Sequence, residues 1–127
     1  MRRGKPVNRF LWLAEPLADN PTFVDRPMFG GRAIYFDGRM VLYLAPKREP
    51  WRGVLVTVER EHHASILGQF PALRPHKILP KWLYLPESAP SFERDAQAIV
   101  DCIRRLDPRF GIVPKAKKRK RAVKRKR

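Results

Sequence analysis

The sequence predicts an α+β domain: an antiparallel sheet of about four to five strands, flanked by N-terminal, middle and C-terminal helices in a two-layer sandwich. Three observations carry this. Two apolar runs, 33–36 and 40–44, are separated by Asp37-Gly38, a pair that tolerates the positive φ angles of a two-residue hairpin turn. Near the end of the chain Phe92, Ala96, Ile99, Ile103 and Leu106 recur at helical spacing, so one helix face is buried. The 127 residues are 43% hydrophobic, which supplies one modest core.

The elements follow in order. Asn8 is placed to cap a short helix over 9–18, with Phe10, Leu13 and Leu17 on one face and Pro16 close to its end. Asn20-Pro21 marks a turn. Gly30-Gly31 permits a bulge or sharp bend before the hairpin. After a polar, proline-bounded loop over 46–52, the run 53–58 (GVLVTV) is a third strand. Residues 59–68 fit a helix, with Glu59 and Glu61 in its first turn and Ile66, Leu67 and Phe70 to one side. Pro71, Pro75 and Pro80 make the next stretch a loop, and 82–85 is a short strand ended by Pro86. Ser91 is placed to cap the last helix, with Glu93 and Asp95 in its first turn; Pro108, Gly111 and Pro114 stop it. The chain thus divides into a flexible basic arm (1–8), a folded domain (9–112) and a disordered basic tail (113–127).

Charge is the strongest departure from the average. The formal net charge is +16, and ten of the residues from 115 to 127 are Lys or Arg: Lys115, Lys117, Lys118, Arg119, Lys120, Arg121, Lys124, Arg125, Lys126 and Arg127. Setting those aside leaves 18 basic against 12 acidic residues, so the rest is still basic. A segment of this composition buries too little apolar surface to fold alone, and it exchanges small counterions for phosphates readily. It predicts adhesion to nucleic acid without sequence reading, because phosphate contacts position and base contacts specify. A solubilising tail or an import signal is the alternative. A smaller cluster opens the chain (Arg2, Arg3, Lys5, Arg9). In the body Arg32, Arg39, Lys47, Arg48 and Arg52 surround the hairpin and its following loop, and Lys77 and Lys81 precede the 82–85 strand. Tyr35, Trp51 and Tyr84 are interleaved with them; this pairs charge with stacking, although strand aromatics are ordinarily core.

Catalytic and metal signatures are weak. Cys102, the single cysteine, has no intramolecular disulfide partner and sits among Ile99, Val100 and Ile103, which predicts a buried helical thiol and a reducing compartment, the cytoplasm. His62 and His63 are adjacent, so on a helix they point about 100° apart, and only distant His76 could join them. Gly30-Gly31 lacks the following helix of a phosphate loop. Asp37 belongs to a turn, and Glu93 and Asp95 to a helix start, which leaves no acid–base pair. No apolar run reaches the ~20 residues of a membrane span. The expectation is a chain without metal, cofactor or catalysis.

The run DRPMFGGRAIYFDGRMVLYLA, with Met28, Phe29, Gly30, Gly31, Tyr35, Asp37, Gly38 and Met40, resembles the N-terminal domain of TfoX-type (Sxy) competence regulators. The later HKILPKWLYLPE and the helix after it resemble the related YjbR/MmcQ group, so the likeness spans about residues 9–107. The resemblance implies a small α+β fold with a helix-flanked antiparallel sheet, structural roles for the matched residues and no enzymatic activity. For the YjbR-like group it also implies a proposed affinity for DNA. The sequence departs in having no counterpart of the C-terminal domain of full-length TfoX regulators and in adding the basic tail. The expected function is non-catalytic, largely sequence-nonspecific binding of DNA or RNA. The alternative is a regulatory protein-interaction adaptor related to these regulators, its tail serving solubility or localisation.

Overall fold

The computed structural model describes residues 8–113. The predicted arm up to residue 7, and the predicted tail from 114 with its ten Lys and Arg side chains, lie outside the described residues.

The short helix predicted over 9–18 is a 3-10 helix, Leu11–Leu17. Pro16 has no N–H for an i→i−4 bond and crowds the preceding turn, which favours the tighter winding. Phe10 occupies the N-cap position, and no side chain caps it. Asn8 acts one step earlier: its Oδ1 accepts the Phe10 N–H at 2.9 Å and its Nδ2 donates to the Leu44 carbonyl at 3.2 Å. Leu13, Ala14 and Leu17 are buried, and Phe10 packs its ring on Phe92 at 5.5 Å.

The sheet has six antiparallel strands, one or two more than predicted. They are β1 (Val24–Met28), β2 (Gly31–Phe36), β3 (Arg39–Pro46), β4 (Arg52–Thr57), β5 (Arg74–Pro75) and β6 (Trp82–Pro86), in spatial order β1-β2-β3-β4-β6-β5. The two unpredicted strands are its edges. Each carries a proline, Pro27 or Pro75, which only an edge position accommodates, and neither shows an alternating apolar pattern.

Two hairpins of the same kind build the first half of the sheet. Asp37-Gly38 (φ 55° and 76°) joins β2 to β3, as predicted, and Phe29-Gly30 (φ 47° and 82°) joins β1 to β2. Both central residues at positive φ is the type I′ arrangement, whose twist matches that of paired strands. Of the bulge or sharp bend expected at Gly30-Gly31, the structure has the bend, as this turn. The register shift lies between Ile34 and Tyr35 on β2, where Val41 is the extra residue of β3. It turns the adjacent Val41 and Leu42 toward the same core.

After β4, one 3-10 turn (Arg60–His62) leads into α1 (His63–Gln69), slightly later than the helix predicted over 59–68. The last helix, α2 (Phe92–Arg104), buries Phe92, Ala96, Ile99 and Ile103 as its spacing requires. Leu106 is not on that face. It lies past the helix end at φ 63°, and its N–H donates to the Ile103 carbonyl while the Asp107 N–H reaches back to Cys102. Ser91 holds the N-cap position without capping, because the nearly buried Asp95 carboxylate takes its hydroxyl at 2.7 Å.

The helices cover one face of the sheet. Ile34, Leu42, Leu44, Val54, Val56, Leu83 and Leu85 meet Leu13, Leu17, Ile66 and Ile99 in the main core. The opposite face gathers Ala33, Met40, Tyr43, Ala45, Leu55 and Tyr84, with Met28, Tyr35, Trp51, Trp82 and Ile112 partly buried beside them; no residue of a described helix joins this second cluster. The core is thus a two-layer sandwich with one sheet face left to loops.

Candidate binding groove on the open sheet face

The loop-covered face contains a groove of about 460 Å³, lined by Met28, Phe29, Tyr43, Ala45, Lys47, Trp51, Ile78, Leu79 and Trp82. Its size is that of a small-molecule or side-chain site. Strands β1 and β3 supply the floor, the β3–β4 loop supplies Lys47 and Trp51, and the loop before β6 supplies Ile78 and Leu79. Phe29 is 85% exposed, Ile78 58% and Leu79 37%, so apolar surface stands open to water around the floor.

Hydrogen bonds fix both walls. The Tyr43 hydroxyl lies 2.9 Å from the Met28 carbonyl and 3.1 Å from that of Phe29, which pins the turn carrying Phe29. Gly31 lies directly under Tyr43, and a Cβ there would strike the Leu44 carbonyl and the Tyr43 ring. Lys47 folds its ammonium over Gly30. On the other side His76 is 1% exposed and joins the two loops. Its Nδ1 accepts the Ile78 and Leu79 N–H groups at 3.1 and 3.0 Å, and the N–H at Nε2 therefore donates to the Pro50 carbonyl at 2.6 Å. The imidazole lies between Trp51, 4.3 Å away, and Tyr84, 5.2 Å away. Tyr84 in turn donates to Glu49 at 2.9 Å and accepts the Arg52 N–H at 2.8 Å. Burial first, with the Glu49 carboxylate adding to it, pushes the Tyr84 phenol up to about 12. Tyr43 is raised by burial as well. Both phenols are hydrogen-bonding struts that stay protonated at neutral pH.

The predicted body cations divide by partner. Arg32 pairs with Asp25 at 2.7 Å, Arg52 pairs with Glu87 at 3.0 Å, and Arg39 donates to the Phe110 carbonyl at 3.1 Å. Arg9 shares Glu87 at 2.9 Å, and the two guanidiniums hold that carboxyl below its usual range, the Arg9 bond foremost. Lys47, Arg48, Lys77 and Lys81 are exposed and form no ion pair among the described residues. Of the interleaved aromatics, Tyr84 is core, Tyr35 is half-buried with Arg26 5.5 Å from its ring centre, and Trp51 lines the groove. The groove residues Ile78, Leu79 and Trp82 were not predicted as a site. The signal was an apolar pair in a Pro- and Lys-flanked loop with no strand or helix period to bury it.

The reactive-looking groups are placed apart from the groove. Cys102 is half-buried on α2, where burial first and the Asp107 carboxylate next push its thiol up, away from the reactive thiolate. His63 Nε2 lies 3.0 Å from the carbonyls of both Val58 and Lys81, while His62 faces Glu61 at 3.5 Å. Among the described residues no three His, Cys, Asp or Glu side chains stand close enough to hold a metal ion, and no helix is long and apolar enough to cross a membrane. No family model, no curated protein and no solved structure matches the chain.

Proposed function

We propose that this chain is a non-catalytic nucleic-acid-binding protein, largely indifferent to sequence, whose basic segment 115–127 contacts phosphates. One observation carries the reading: ten Lys or Arg residues without an acid between them, on a chain whose remaining residues are also net basic. The body supports it by pairing several of its acids with arginines while leaving cations open. Asp25, Glu87, Asp101 and Asp107 face arginines, while Lys47, Arg48, Lys77 and Lys81 stand exposed. A single cysteine, without an intramolecular disulfide partner, supports a reducing compartment, the cytoplasm. Kinship with the TfoX-type domain, resting on Met28-Phe29-Gly30-Gly31 and Asp37-Gly38, belongs to the same proposal.

Titration of duplex DNA, single-stranded DNA and RNA at several salt concentrations tests it. If about 6–8 basic side chains meet phosphates, affinity for duplex falls with a log–log salt slope of about −5 to −7. Deleting 115–127 flattens that slope. Tight binding that survives the deletion unchanged defeats the role given to the segment. Co-purification of one stoichiometric protein, resistant to nuclease and high salt, favours the adaptor reading instead.

A further inference from the structure

We propose that the groove on the open sheet face is a base-stacking site for single-stranded nucleic acid, an inference that rests on the nucleic-acid reading above and assigns its substrate class. The first ground is Phe29. A type I′ turn favours Asn or Gly at its first central position, yet here a phenylalanine holds φ 47° with 85% of its surface in water. Folding gains little from a ring so exposed, and the turn is strained by it. An exposed aromatic on a turn pinned through its backbone, at the mouth of an apolar groove, is what a flat base requires.

The second ground is charge. Among the described residues Lys47 is the one ionisable side chain other than Tyr43 on the groove wall, and no carboxylate lines it. Arg48 neighbours Lys47 in sequence, Lys77 precedes Ile78 and Leu79, and Lys81 precedes Trp82. The cleft on the helix side, about 600 Å³, makes the contrast: it is lined by Glu15 and by Asp101 paired with Arg104, so its wall has no excess of positive charge to attract phosphate. The third ground is where the described chain ends. Ile112 packs in the same sheet-face cluster as Tyr43 and Trp51, three residues before Lys115 opens the basic segment. A duplex keeps its bases stacked inside and cannot offer one to a recessed site without unpairing. The segment 115–127 has the same sign of charge as the groove's cations and is a poor occupant itself.

The test uses the full chain with a labelled oligothymidylate and a hairpin duplex of the same length. Trp12 is 43% exposed and lines the helix-side cleft, so Trp12→Phe leaves Trp51 and Trp82 to report on the groove. Oligothymidylate is expected to quench that fluorescence. Phe29→Asn, which suits the turn and removes the ring, is expected to weaken single-strand binding on the order of tenfold while duplex affinity is unchanged, and Phe29→Tyr to restore it. Equal binding of oligothymidylate by Phe29→Asn and the parent overturns the groove assignment and leaves the nucleic-acid reading standing. A concentration-dependent dimer that Phe29→Asn dissolves overturns it too, in favour of a second copy as occupant. A parent chain that binds neither probe at low salt overturns the nucleic-acid reading itself.

Discussion

Phe29 and Leu106 hold left-handed backbone, at φ 47° and 63°, that L side chains adopt at a cost of about 1–2 kcal/mol. Leu106 is 57% exposed and closes α2, so its side chain returns little for that cost. Leu106→Gly is expected to stabilise the fold by about 0.5–1 kcal/mol after glycine's larger chain entropy is counted. Thermal unfolding should register this as a rise of about 3–6 °C, and an unchanged or lower midpoint would refute the strain. Phe29→Asn is expected to stabilise by a similar amount, since it converts Phe-Gly into the favoured Asn-Gly pair. If Phe29 serves a ligand, the variant that folds best binds single strands worst. Gly31 has the opposite sign. A methyl group there meets the Leu44 carbonyl and Tyr43, so Gly31→Ala is expected to cost about 1–3 kcal/mol in urea denaturation.

At the scale of elements, what the sequence revealed depended on pattern length. The Asp37-Gly38 hairpin, strands β3, β4 and β6, and the buried face of α2 were legible because a continuous apolar run or helical spacing marks each of them. Strands β1 and β5 were not, because VDRPM and Arg74-Pro75 owe their pairing to a neighbour and not to their own pattern. The groove was illegible for a related reason: Phe29, Lys47, Trp51 and Leu79 come from three loops that only the sheet brings together. One cross-element tie gives a pH prediction. Arg109 grips Asp107 at 2.8 and 3.0 Å while donating to Ser65 and Gln69 at 2.8 Å, which joins α1 to the segment after α2. The Arg109 bond, outweighing partial burial, holds the Asp107 carboxyl below its usual range. A lowered carboxylate pKa adds stability that is complete above the unfolded value, about 3.9, and is lost as pH falls through the folded one. Asp107→Asn is therefore expected to cost about 1–2 kcal/mol at neutral pH. The gap to wild type should close in acid; a gap that persists at about pH 2 rules out the ion pair as its source.

For the molecule as a whole, the basic segment and the groove are expected to act on one ligand with different rules. The segment's contribution is electrostatic, so it falls with salt and ignores whether the ligand is single- or double-stranded. The groove's contribution depends on an unpaired base and is far less sensitive to salt. On duplex, deletion of 115–127 should account for most of the lost affinity and Phe29→Asn for none. On a long single strand the two are linked, because phosphate contacts raise the local concentration of bases at the groove. A trinucleotide too short to reach both should lose affinity with Phe29→Asn and feel the deletion only as a change in general charge. Fluorescence anisotropy of short and long oligothymidylates against the parent, the two single variants and their combination measures this coupling. If the penalties of deletion and substitution add on the long strand as they do on the short one, the segment and the groove do not share a ligand.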